Sequence, residues 1–92
     1  MKVVINRCFG GFSLSKKAYE FLGLEWDGYG YAYNSIDLRT DRELVECVET
    51  LGKEASGTFA QLKVIDIPDG VNYQIKENDG RERIEEIHRC WY

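Results

Sequence analysis

KVVINRCFGGFSLS, residues 2–15, is the stretch on which the reading of this chain turns. Val3, Val4 and Ile5 form a β-rich apolar run, so a strand is expected from Lys2 to Arg7, with Cys8 and Phe9 leading into a Gly10-Gly11 turn. Ser15 then has the side chain that caps a helix start. A glycine turn lets backbone approach a ligand closely, and the free N–H groups of a helix N-terminus attract anions. Asn6, Arg7, Gly10, Gly11 and Ser13 are therefore the residues expected around a phosphate or carboxylate, with Lys16 nearby. The same glycines would equally serve a tight turn. Neither G-x-G-x-x-G nor G-x-x-x-x-G-K-[ST] occurs, so the loop is neither a dinucleotide fingerprint nor a phosphate loop of the usual kind.

Outward from that stretch, the rest of the 92 residues reads as one domain, 1–92, with no internal repeat or linker. A short helix carries Ala18, Tyr19, Phe21 and Leu22 and ends at Gly23. Residues 25–35 form an aromatic, glycine-containing segment in which Tyr29, Tyr31 and Tyr33 alternate, a pattern that also suits a short strand. Thr40 and Glu43 have capping-box spacing, and Leu44, Val45, Val48 and Leu51 mark the buried face of a second helix closed by Gly52. Leu62 to Ile67 and Val71 to Lys76 read as two strands joined at Pro68-Asp69-Gly70. Asn78-Asp79-Gly80 ends the second of them. Asp79 and Glu82 have the spacing to cap a final helix through Ile84, Ile87 and Trp91. The expected fold is α+β, in the order strand, helix, loop, helix, strand, strand, helix, with the helices packed on a small mixed sheet.

Composition narrows the function classes. The chain is 43% hydrophobic and 30% charged, the range of ordinary globular proteins. A net charge of −4 and the lack of any run of three Lys or Arg argue against a surface that tracks nucleic-acid phosphates. No apolar stretch approaches a membrane span and no signal peptide is recognisable, so a cytoplasmic protein with no membrane partner is expected. Cys8, Cys47 and Cys90 are an odd set without C-x-x-C spacing, which suits free thiols, with Cys8 and Cys47 as small buried hydrophobes. A metal site from Cys90 and His88 would need two distant ligands, and neither metal nor cofactor is expected.

Three constellations carry chemistry beside the glycine turn. Tyr29 and Tyr31, with Trp26 and Tyr33, offer stacking faces for a base, although a subunit interface or the core suits these large aromatics better. His88, the sole histidine, and Arg89 offer an anion contact or a general base. Asp66, Asp69, Glu77, Asp79 and Glu82 lack calcium-loop spacing and suit turns and caps. No nucleophile and base stand at recognisable spacing, which places catalysis behind binding.

Val3 to Ser15, Leu51 to Gly57, Leu62 to Val71 and Glu86 to Trp91 together resemble a widespread family of small phage and prophage proteins, most of them of no described function. The likeness lies in the strand with its Gly-Gly turn and in the glutamate-histidine-arginine-x-tryptophan tail, here with Ile87 inserted after Glu86. The chain departs from that family in its short middle, between the first two helices. The resemblance implies a phage-encoded accessory protein of the anti-defence kind, acting in the host cytoplasm. Such proteins sequester a nucleotide messenger or block a host protein. The expectation is a homo-oligomer that binds a small anionic, nucleotide-like ligand through Asn6, Arg7, Gly10, Gly11, Ser13, Tyr29, Tyr31, His88 and Arg89 without catalysis. The alternatives are an interaction protein that inhibits a host defence protein and a small nucleotide hydrolase using His88.

Overall fold

Strand β1 (Lys2–Asn6) is where the apolar run becomes structure: Val3, Val4 and Ile5 are all excluded from water. The computed structural model describes residues 1–33 and 35–86. Helix α1 (Lys16–Leu22) follows, then a 3-10 turn (Ile36–Leu38), helix α2 (Arg42–Leu51), a second 3-10 turn (Gly52–Ala55), strand β2 (Leu62–Asp66), strand β3 (Tyr73–Asn78) and strand β4 (Arg81–Glu86). The protein is α+β, as the pattern predicts. Its strands form two antiparallel pairs, β1 with β2 and β3 with β4, where one mixed sheet was expected.

The first pair and the helices form the body. β1 and β2 run from Lys2↔Asp66 to Asn6↔Leu62. Val4 and Leu62 meet Leu44, Val45, Cys47 and Val48 of α2 and Ala18 and Tyr19 of α1, with Phe12 and Leu14 completing the core. Only seven residues long, α1 depends on that contact. Ser15 caps it as expected, accepting from Ala18 N at 3.1 Å. On α2 the cap is Asp41, not Thr40: the Asp41 carboxylate accepts from Glu43 N at 2.9 Å and Leu44 N at 3.4 Å. A carboxylate at the first turn also complements the helix dipole.

The C-terminal third also departs from the expected pattern. The helix expected from Asp79 onward is, through Glu86, strand β4, paired with β3 from Asn78↔Arg81 to Tyr73↔Glu86. Asp79 and Gly80 both have positive φ, 51° and 88°, the conformation of a two-residue type I′ turn that joins tightly paired strands. Asp79 therefore shapes a hairpin turn rather than a helix cap. β2 and β3 likewise do not pair with each other. The Ile87 to Trp91 part of the expected helix, with His88, Arg89 and Cys90, lies outside the described residues.

Among the described residues no helix is long and apolar enough to cross a membrane.

Candidate functional site

The Cys8–Gly11 turn is built by Asn6. Its amide is fully buried, donating from Nδ2 to Cys8 O and Gly80 O at 2.7 Å each and accepting at Oδ1 from Gln61 N at 2.9 Å and Cys8 N at 3.2 Å. Asn6 thus shapes the turn from beneath, its polar atoms engaged by the fold. The glycine turn then meets the hairpin turn almost backbone to backbone. A Cβ on Gly80 would lie 2.5 Å from both Gly11 N and Phe9 O, and one on Gly10 would lie 2.1 Å from Phe59 O. These contacts allow no side chain.

What locks the hairpin against β1 is a buried ion pair. Arg39, just before α2, donates from Nη2 to Glu82 Oε2 at 2.8 Å and from Nη1 to Glu82 Oε1, and both side chains are almost wholly buried. Glu82 Oε1 also accepts from Asn6 N at 2.8 Å, and the Arg39 guanidinium lies 3.8 Å from the centre of the Phe12 ring. Neither residue was singled out as a pair by the sequence reading, which placed Glu82 at a helix cap.

Strand alternation sorts the hairpin's charges onto two faces. Glu77 and Glu82 share one face with Tyr73, Ile75 and Ile84, and Lys76, Arg81 and Arg83 share the other. Lys76 and Arg83 stand directly opposite each other, an arrangement of like charges that weakens a sheet. Arg7, leaving the end of β1, joins these cations around a groove of about 550 Å³ that Phe9, Glu77, Asn78 and Glu82 also line. The Arg81 guanidinium sits 5.7 Å from the Phe9 ring centre. Arg83 has a salt bridge to Glu85 at 2.7 Å; among the described residues Arg7, Lys76 and Arg81 have no acid within ion-pair distance.

A second groove, of about 530 Å³, opens on the other side of the glycine turn, where Gly10, Gly11, Tyr31, Ser35 and Ile75 meet and Arg39 with Glu82 forms the floor. Comparison of the chain with family models, with curated proteins and with solved structures finds no match. Geometry and chemistry alone therefore carry the reading of the site.

The structure redistributes the expected site residues. Arg7 enters the basic groove; Gly10, Gly11 and Tyr31 enter the second. Ser13 faces away from both linings, its carbonyl accepting from Gly57 N at 3.0 Å and its side chain lying against Gly57. Tyr29 lines neither groove but stacks on Tyr31, with ring centres 6.1 Å apart and planes 7° from parallel. His88 and Arg89 lie outside the described residues. The helix N-terminus expected to receive an anion is filled from within: Ser15 caps α1, and its hydroxyl donates to Glu54 O.

Asp27 ties the aromatic loop together. Its Oδ1 accepts from Tyr29 N at 2.7 Å and Gly30 N at 2.8 Å, and its Oδ2 from the Tyr19 hydroxyl at 2.9 Å. The Gly30 and Tyr29 amides hold the Asp27 carboxyl below its usual range, because hydrogen bonds to the charged form favour it. The Tyr19 hydroxyl, buried and so shifted upward, accepts in turn from Ala32 N at 2.8 Å. Sequence reasoning missed these positioning residues and the cations of the hairpin. Among the described residues no group of three His, Cys, Asp or Glu side chains is placed to hold a metal ion.

Proposed function

We propose that this chain is a phage-encoded accessory protein that binds and sequesters a small anionic, nucleotide-like ligand in the groove beside the glycine turn, without converting it. The single observation that carries the binding reading is the gathering of Arg7, Lys76, Arg81 and Arg83 around one groove in a chain whose net charge is −4. Setting Lys76 against Arg83 costs the fold stability that a bound phosphate returns, since charge-assisted hydrogen bonds to phosphate are among the strongest. Phe9 beside Arg81 supplies an aromatic face for a planar group, and Tyr31, stacked on Tyr29, supplies another across the turn. The phage origin and the anti-defence role rest on the motif resemblance.

Native mass spectrometry of the protein, purified gently from infected or signal-producing cells, tests this reading. A small mass that copurifies and leaves on denaturation is expected. Binding of a fluorescent nucleoside diphosphate should then fall at least tenfold in Arg81→Ala, because a lost charge-assisted bond is worth about 1.5–3 kcal/mol. Its folding stability should change by no more than about 0.5 kcal/mol, as exposed substitutions usually do.

A second reading has its own observation. Phe9, Phe59, Tyr29 and Tyr31 are 61%, 71%, 73% and 59% exposed, a display of large aromatics typical of protein interfaces. A clean ligand-free mass, together with a stable complex with a host protein that Phe59→Ala abolishes, would replace sequestration with inhibition of that protein.

A further inference from the structure

The outer edge of β3 is unpaired by any described strand. The two-residue turn makes Asn78 and Arg81 the hydrogen-bonded closing pair, so Lys76 and Gln74 also bond inward to β4. Tyr73, Ile75 and Glu77 consequently turn their backbone N–H and C=O groups outward, and no hydrogen bond of the described residues uses those groups. Tyr73 and Ile75 are half-buried, with Ile84 beside them on the same face of a pair to which no third described strand adds. A two-stranded hairpin is marginal by itself, and an open edge is a template for another strand.

We propose that β3 pairs antiparallel with β3 of a second copy of this chain, about a two-fold axis at Ile75, to form a four-stranded sheet. Charge selects both the occupant and the register. Directly opposed residues of an antiparallel pair must share the same hydrogen-bonding type, which restricts the axis to positions centred on a residue. Centred on Ile75, the pairing sets Ile75 against Ile75 of the partner subunit, Tyr73 against Glu77 of the partner subunit, and Gln74 against Lys76 of the partner subunit. No like charges stand directly opposite each other. Centred on Lys76, it opposes the two Lys76 ammonium groups; centred on Gln74, it overlaps little more than Tyr73 to Ile75.

The edge of β4 offers no such solution. Centred on Arg83 or Glu85, self-pairing opposes two Arg83 or two Glu85 side chains; centred on Ile84 it pairs Arg83 with Glu85 but asks Glu82, already held by Arg39, to face Glu86. In the β3-paired sheet, Lys76, Arg81 and Arg83 of both copies lie on the face opposite Ile75, so the two basic grooves share one side of the dimer. The pairing rests on the strand edge and stands independently of the ligand reading.

Sedimentation equilibrium across a micromolar-to-millimolar concentration series tests it with Gln74→Lys and with Gln74→Lys/Lys76→Glu. Within one chain Gln74 faces Glu85 and Lys76 faces Arg83, so both substitutions favour the folded hairpin. Across the proposed axis Gln74→Lys sets a lysine against Lys76 of the partner subunit, twice, and the double variant replaces each clash with an opposite-charge pair. The wild type is expected at twice the 10.7 kDa chain mass, with dimerisation about tenfold weaker in Gln74→Lys and restored in the double variant. A wild type that remains monomeric throughout, or a Gln74→Lys protein that dimerises like the wild type, overturns the proposal.

Discussion

In the β1–β2 body, Val3, Val4 and Ile5 are excluded from water and two helices cover the sheet with Leu44, Val48, Ala18 and Tyr19, whereas in the β3–β4 hairpin only Glu82 is fully buried. The body is held by apolar area, each of its larger side chains worth about 1.5–3 kcal/mol on burial. The hairpin is held by its own ladder, by a turn that admits only glycine at Gly80, and by the Arg39–Glu82 pair. An element anchored at one buried point can leave its other face to cations. That division explains why the charged groove lies on the hairpin and the end of β1 rather than in the core.

The sharpest way to break the comparison is to remove the anchor. Glu82→Ala leaves the Arg39 guanidinium buried without its carboxylate and the Asn6 N–H without its acceptor, so urea unfolding should show a loss of about 3–5 kcal/mol. That equals or exceeds the loss of about 3 kcal/mol expected for Leu44→Ala in the core. Replacing both partners, as Arg39→Met with Glu82→Leu, should recover much of the single-variant loss, since apolar residues remove the desolvation cost along with the attraction. If Glu82→Ala costs less than about 1 kcal/mol, the hairpin is held by something other than the pair.

A smaller effect separates the two regions by reactivity. Burial pushes the Cys47 thiol, which faces Ala18 O inside the body, up to about 11. Cys8, at the turn where hairpin and body meet, is only half-buried. Because the thiolate is the reactive form, alkylation of the native protein at pH 8 followed by peptide mapping should modify Cys8 well before Cys47, which should react only on unfolding. Equal labelling of both would show that the body opens as readily as the hairpin junction.

The same contrast governs how much was legible in the sequence. β1, α1, α2 and β2 follow from local apolar periodicity and from Ser15, Gly23 and Gly52 at the helix ends, because each buries a face that the pattern displays. β3 follows as well, from the alternation of Tyr73 and Ile75 with Gln74 and Lys76, but β4 does not. Asp79 and Glu82 have the spacing of a helix cap, and Ile84, Ile87 and Trp91 the spacing of a helix face, so the Asp-Gly turn signal was outweighed. The site was legible only in part, for the same reason. Arg7, Gly10 and Gly11 stand in one local motif. Lys76 and Arg83 come together only through strand register, and Arg39 meets Glu82 across 43 positions of sequence. Thr40 lost the α2 cap to Asp41 by one residue, a displacement that local composition cannot distinguish when two capping side chains are adjacent.

The most direct test of the binding reading is a backbone amide NMR titration of the folded protein with a nucleoside diphosphate. Chemical-shift changes that saturate and cluster on Arg7 to Phe9 and on Lys76 to Arg83, leaving α2 unmoved, are the result predicted. No saturable change, or changes centred on the α1 N-terminus, would contradict it.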